Sequence, residues 1–255
     1  MPILLKSSAD IARMREAGRV AAAVAAAMRA AARAGVTTAT LDQLAAGEIA
    51  RLGAMSAVAK AAGGRFPGQT CISVNEQVLH GVPGPRALRD GDIVTFDVSV
   101  MLNGFCASRA VTVPVGAAAS PERQRVIDVA ECALARAIEL VRPMRKWSEV
   151  ARQVQRQIEA RGCQVVREFV GHGIGRRQFE EPKVFNHVDA VTLRGDFPLR
   201  AGMTLTIEPI VTAGRREVDL LADGWTVATM DGQPAAHVRH TVAVTDQEAE
   251  VLTAG

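Results

Sequence analysis

Apolar and polar positions alternate along this chain with two different periods, and the changes of period divide it into segments. A long helically periodic stretch follows Ser8-Ala9-Asp10 and stops at Gly35, with a capping residue at one end and a glycine at the other. A second helix is expected from about Leu41 to Leu52, stopping at Gly53. The period then falls toward two in "CISVNEQVLHGVPGPRALRDGDIVTFDVSVMLNGF", where β-branched residues and Pro/Gly turns predict strands and Leu102-Asn103-Gly104 closes a hairpin. Ser120-Pro121 opens a long helix, proline standing where a missing N–H does no harm. Another helix follows Ser148 and stops at Gly162, and strands are expected from there on. In the last of them, "AAHVRHTVAV" (235–244), Val238, Val242 and Val244 share one face, and His237, Arg239 and Thr241 share the other. Arg239 is conspicuous there, because a guanidinium cannot shed its charge and, once buried, requires an anionic partner or an opening to water.

Two helices followed by strands occur twice. "LRDGDIVTFDV" (88–98) and "LRAGMTLTIEP" (199–209) share Leu, Arg, Gly and the apolar alternation, and Asp97 falls on Glu208. A weaker pair, "GVTTATLDQLAAGEIARLG" and "PMRKWSEVARQVQRQIEARG", sets a helix ahead of each strand group. The expectation is an α+β fold in one domain, 1–255, built of pseudo-repeats at about 36–115 and 143–245. Each half would give one carboxylate to a cleft between them.

Composition narrows the partners. Of 255 residues 48% are hydrophobic and 22% charged, ordinary for a globular protein. A net charge of +3 without a block of like charges gives no footprint for nucleic acid. Cys71, Cys106, Cys132 and Cys163 show no CxxC spacing, which fits a reduced, cytoplasmic setting. The uncharged stretch Val20 to Met28 is far short of the roughly 20 residues that span a bilayer.

Five groups could carry chemistry: His80 in "VLHGVP", Asp97 in "VTFDVSV", His172 in "VGHGIG", Glu208 in "LTIEPIV", and His240 beside Arg239. A strand carboxylate between apolar neighbours is costly to bury alone, so Asp97 and Glu208 either face a site or bond a nearby arginine. His172 stands between glycines, where a backbone could approach a ligand closely.

The blocks "SSADIARMREAGRVAA", "CISVNEQVLHGVP", "LRDGDIVTFDVSV", "GHGIGRRQFEEP", "LRAGMTLTIEPIV", "DGWTV" and "RHTVAVT" together resemble type I methionine aminopeptidases of the pita-bread fold, over nearly the whole chain. The resemblance implies two metal ions held by two aspartates, a histidine and two glutamates, activating water against the bond after an N-terminal methionine. Asp97, His172 and Glu208 match three of these ligands. The second aspartate falls on Ser108, in Cys106-Ala107-Ser108, and the last glutamate on Arg239. No dinuclear centre and no cofactor are therefore expected; a single divalent ion on Asp97, His172 and Glu208 is the alternative. The substrate pocket departs too. Phe179 replaces a family histidine, Gln178 an aromatic and Gly63 a tyrosine, while Cys71, Trp225 and His80 remain. A pocket altered in this way is expected to lose its shape for methionine.

Three readings stay open. The first is a metal-independent, creatinase-like enzyme acting on a small molecule or peptide. In it His80 or His172 moves the proton, Arg239 binds a carboxylate or developing anion, Ser108 and His237 orient the substrate, and Cys106 is a possible nucleophile without an identified base. The second is a catalytically silent binding protein, and the third an aminopeptidase with one metal. The family implies a monomer.

Overall fold

The computed structural model describes residues 2–116 and 119–254; Met1, Ala117, Ala118 and Gly255 lie outside the described residues. Helix α1 (Ser8–Ala31) is capped by Ser7, whose hydroxyl accepts from the Asp10 N–H while the Asp10 carboxylate accepts from the Ser7 N–H. Helix α2 (Thr38–Arg51) begins ahead of the expected Leu41 because Thr37 caps it by accepting from the Thr40 N–H. A short strand β1 (Met55–Ser56) and a helix α3 (Ala57–Ala61), too short to show a period, follow. Strands β2 (Cys71–Val74), β3 (Gln77–Leu79), β4 (Ile93–Leu102) and β5 (Phe105–Pro114) complete the first half. The β4–β5 turn is the expected one, with Asn103 (φ 49°) and Gly104 (φ 80°) both left-handed.

Helix α4 (Pro121–Leu140) starts at Ser120-Pro121 as expected. Helix α5 (Trp147–Glu159) starts just before Ser148, and Ser148 does not cap it: its N–H and hydroxyl both donate to Asp196. Beyond it come β6 (Gln164–Val165), β7 (Gly171–Gly173), β8 (Glu180–Val184) and a 3-10 turn at Thr192–Gly195. Strands β9 (Thr204–Ile207), β10 (Ile210–Thr212), β11 (Val218–Leu220) and β12 (Val227–Thr229) follow. The chain finishes with β13 (Ala235–His237), β14 (His240–Val244) and β15 (Ala249–Val251).

In the first half β4 lies between β1 and β2 and also pairs with β5; in the second, the order is β15-β14-β9-β7-β8. Two three-stranded sheets, β13-β10-β6 and β11-β12-β3, flank them. Each half turns its apolar sheet face outward onto its own helices. Ile72, Val74, Phe96, Val98 and Val100 pack with Val24, Met28, Leu41 and Ile49 of α1 and α2. Leu205, Ile207, Val238, Val242 and Val244 pack with residues of α4 and α5, so the valine face expected in 235–244 is the helix-facing one. Similar bonds tie the segment before each helix to the segment before each long strand. Gly35 N–H donates to Leu88 O (2.9 Å) and Leu88 N–H to Val36 O (2.9 Å); Met144 N–H donates to Leu199 O (2.8 Å) and Leu199 N–H to Arg145 O (2.9 Å).

What remains on the inner faces is polar, and there β5 meets the stretch from β13 to β14. Ala110 and Arg239 exchange backbone bonds of 3.0 and 3.2 Å. On either side hydroxyls take over the ladder: Thr241 Oγ1 accepts from Ser108 N–H and donates to Ser108 O, and Thr112 Oγ1 accepts from His237 N–H and donates to His237 O. This seam holds the residues of interest in register. No helix among the described residues is long and apolar enough to cross a membrane.

Candidate active site

Strand alternation sends Phe96 and Val98 outward to the helices and leaves Asp97 on the seam side of β4. Asp97 is 4% exposed, Glu208 3% and Arg239 6%, so all three charges are buried. Arg239 Nη1 donates to Asp97 Oδ1 (2.6 Å) and Nε to Glu208 Oε2 (2.5 Å), and Nη2 lies against the same Glu208 oxygen. The guanidinium thus bridges the carboxylate of the first half to that of the second. With Nε, Nη1 and Nη2 each facing an acid, two of its five N–H groups remain for another acceptor. Two carboxylates against one guanidinium leave this group one negative charge in excess.

Glu208 is gripped further: Oε1 accepts from the Thr206 hydroxyl (3.1 Å) and Oε2 from His237 Nε2 (3.2 Å). Burial opposes its charge, but Arg239 and the His237 bond outweigh burial and hold its carboxyl well below the usual carboxylate range. Burial likewise works against the Arg239 charge, and Asp97 and Glu208 more than restore it.

The histidines divide by position. His172 Nδ1 donates to Gly173 O (2.8 Å); Nε2 has no hydrogen-bond partner, lies 3.9 Å from Glu208 Oε1, and is covered by the Phe179 ring at 4.7 Å. His80 has a left-handed backbone (φ 55°) and meets the Phe169 ring edge-on at 5.7 Å. Burial lowers the pKa of both, which keeps each imidazole neutral near pH 7. His240 is not part of this group. It follows Arg239 directly, so the alternation turns it away, to Thr253 (2.8 Å) and Arg109; burial, and then Arg109, push it down to about 3.

The glycines around His172 meet neighbouring backbone closely. A Cβ at Gly171 would stand 2.3 Å from Thr206 O, and one at Gly173 2.1 Å from Glu181 O, so these glycines let β7 lie against its neighbours.

A cavity of about 300 Å³ opens beside the triad. His80, Asp97 and Arg239 reach its wall, and Val58, Ala61, Phe66, Cys71 and Trp225 make an apolar lining. Phe66 and Trp225 meet edge to face at 5.4 Å. Phe66, not singled out from the sequence, thus adds a ring to the lining beside Trp225. Phe66 stands in "GRFPG", a loop without periodicity, where only the scarcity of aromatics could have flagged it. Burial raises the Cys71 thiol pKa well above normal and the Cys106 thiol to about 11, so neither is a thiolate nucleophile near pH 7.

Ser108 and His237, expected to touch substrate, are both 0% exposed and stand behind this wall. Ser108 bonds Ser99 (2.8 Å), and the Gln178 amide donates to both hydroxyls (2.9 and 3.0 Å). Ser99, not singled out from the sequence, lines the cavity with Gln178. Gln178 is 8% exposed and its Oε1 has no partner, whereas Phe179 is 61% exposed at the rim.

Comparison with known proteins places this geometry. The profile of metallopeptidase family M24 matches residues 12–246. The chain is 38% identical to methionine aminopeptidase 1 of Bacillus subtilis, over 98% of this chain and 99% of that one. It is 41% identical to the methionine aminopeptidase of Clostridium perfringens, over 98% of each. The crystal structure of methionine aminopeptidase from Thermotoga maritima superposes with a TM-score of 0.94 at 34% identity, over 100% of both chains. Prolidase from Pyrococcus furiosus shares the fold alone, with a TM-score of 0.76 at 18% identity over 98% of this chain and 65% of that one. The seam, the paired halves and these likenesses lead to one conclusion: this chain has the pita-bread fold and belongs to metallopeptidase family M24, as a methionine-aminopeptidase-like protein.

Proposed function

We propose that this protein hydrolyses the bond after an apolar N-terminal residue of a peptide, and does so without a bound metal. The family implies a metal, and the donor set here does not fit one. One oxygen of each carboxylate, Asp97 Oδ1 and Glu208 Oε2, accepts from Arg239, whose guanidinium stands between the two acids. Among the described residues no group of three or more His, Cys, Asp or Glu side chains is arranged to hold a metal ion. A unit positive charge about 4 Å from another costs roughly 4 kcal/mol at an effective dielectric of 20, and about twice that against a divalent ion. The single observation that carries this reading is the guanidinium between Asp97 and Glu208.

In this reading the excess negative charge attracts the amino terminus, with Asp97 at the cavity wall, and the apolar lining takes the first side chain. His80, neutral and on that wall, accepts a proton from the attacking water at an imidazole nitrogen and returns it to the leaving amine. The two uncommitted N–H groups of Arg239 stabilise the oxygen on which charge develops. Glu208 and His237 hold the guanidinium in place rather than touching substrate.

The test is hydrolysis of Met-Ala-Ser by protein stripped with a chelator. Activity is expected to survive stripping and to fall about 10²–10⁴-fold in a folded His80→Ala variant, the usual worth of a positioned acid–base group. Activity restored only by added cobalt or manganese, or two ions per chain in the purified protein, would overturn the proposal. A second reading, a peptide-binding protein without turnover, is favoured by one observation: His172 Nε2 is sealed beneath Phe179. Tight binding of the same peptide with no product would select it.

A further inference from the structure

A second chamber, of about 430 Å³, adjoins the cleft and shares Ala61, Gln178 and Phe179 with it. Its wall carries Lys60, Arg176 and Arg177, and Arg65 stands on the neighbouring wall of the cleft. Among the described residues no acidic side chain lines the outer chamber, and Asp97, the acid on the wall of the inner one, is engaged by Arg239. The Lys60 ammonium donates to Met101 Sδ (3.2 Å), a weak acceptor, and Arg65 Nε to the Ala62 carbonyl (3.3 Å), so neither cation faces a carboxylate. Arg176 is held in position, stacked over the Phe105 ring at 4.4 Å with Asp10 at 3.6 Å. Gln178 stands at the wall common to both chambers, its amide nitrogen donating to Ser99 and Ser108 and its Oε1 buried without a partner.

We infer that the outer chamber is a carboxylate subsite: the ligand enters the cleft by its amino end, passes Gln178, and presents a carboxylate to Lys60 and Arg176 of the outer chamber, with Arg65 on the adjoining cleft wall. The triad of Asp97, Glu208 and Arg239 carries one negative charge in excess, while Lys60 and Arg176 in the outer chamber and Arg65 on the adjoining cleft wall supply positive charge. A ligand positive at its head and negative a residue or two along is complementary to that arrangement. The carboxylate has two possible sources, an acidic side chain or the carboxyl terminus of a di- or tripeptide. This inference rests on the peptide reading above, but its readout is binding and not turnover.

The experiment is calorimetric titration with peptides whose first bond is N-methylated to resist hydrolysis. Amidated Met-Ala-Ser, free-acid Met-Ala-Ser, amidated Met-Ala-Glu and amidated Met-Ala-Lys are compared. A carboxylate from either source is expected to tighten binding about tenfold over the neutral amide at low salt, the lysine peptide to bind weakest, and the differences to shrink near 0.5 M salt, where the Debye length is only about 4–5 Å. Lys60→Ala combined with Arg65→Ala, which leaves His80, Asp97, Glu208 and Arg239 in place, is expected to abolish the preference. Tightening by the free acid alone assigns the site to the carboxyl terminus, and tightening by the glutamyl peptide alone assigns it to a side chain. Equal affinities for acidic, neutral and basic peptides, or a preference that survives the double variant, would overturn the inference. A carboxylate preference with no hydrolysis of Met-Ala-Ser would instead sink the catalytic reading and leave the subsite standing.

Discussion

At the scale of single residues, the decisive fact is that one buried cation faces two buried anions. Removing one member of such a buried group leaves charge without compensation, at about 3–5 kcal/mol. Arg239→Met is therefore expected to lower the free energy of unfolding by about that amount at pH 7, read from the denaturant midpoint. In the variant Glu208 is buried without its cation, so its folded-state pKa rises; the loss should shrink as pH falls and it takes up a proton. Wild type behaves oppositely. Glu208 titrates lower when folded than its unfolded value of 4.5, so its contribution is complete above that value and fades as pH drops below it. A variant whose deficit is the same at pH 5 and pH 8 would show that the guanidinium was not compensating that acid.

Among the elements, the same reasoning concerns backbones. Strand β7 carries His172 between Gly171 and Gly173, and either Cβ would collide with a neighbouring carbonyl. Gly173→Ala must push β7 from β8, and a cost of about 1–3 kcal/mol is expected, the usual range for overpacking a close-packed interior. The melting temperature reads it, and an unchanged value would mean that β7 can shift freely. Elements with a strong local signal were legible in the sequence. Ser120-Pro121, the Asn103-Gly104 turn and the two faces of residues 235–244 each follow from one residue's own stereochemistry or a strict alternation. The errors lie where a distant partner intervenes. The helix expected after Ser148 starts at Trp147, and Asp196, far along the chain, takes the Ser148 hydroxyl. The glycines beside His172 suggest a ligand, and the close approach is to Thr206 and Glu181.

Across the whole molecule, the site exists only because two halves are joined. Asp97 comes from β4, Glu208 from the end of β9 and Arg239 from the seam between β13 and β14. Ser108, on β5 opposite Ser99 of β4 and bonded to Thr241, stands on the same seam. Restoring the family's carboxylates at both departures, with Ser108→Asp and Arg239→Glu together, is expected to create affinity for cobalt. Added cobalt should then raise the melting temperature of the double variant, by the mass action of a ligand that binds only the folded state, and leave wild type unmoved. A wild-type shift as large as the variant's would show that Arg239 does not exclude the ion.

The chain by itself determined the family, the helix and strand types, and which residues depart from the family's ligand set, because these depend on local stereochemistry, periodicity and the identity of side chains at fixed spacings. Only the folded arrangement decided that Arg239 is shared by both acids, that Ser108 and His237 lie behind the wall, that Phe66 adds a ring to the lining, and that cations gather in a second chamber. Those outcomes depend on distances between residues more than a hundred positions apart, such as Asp97 and Arg239, and no local pattern encodes them.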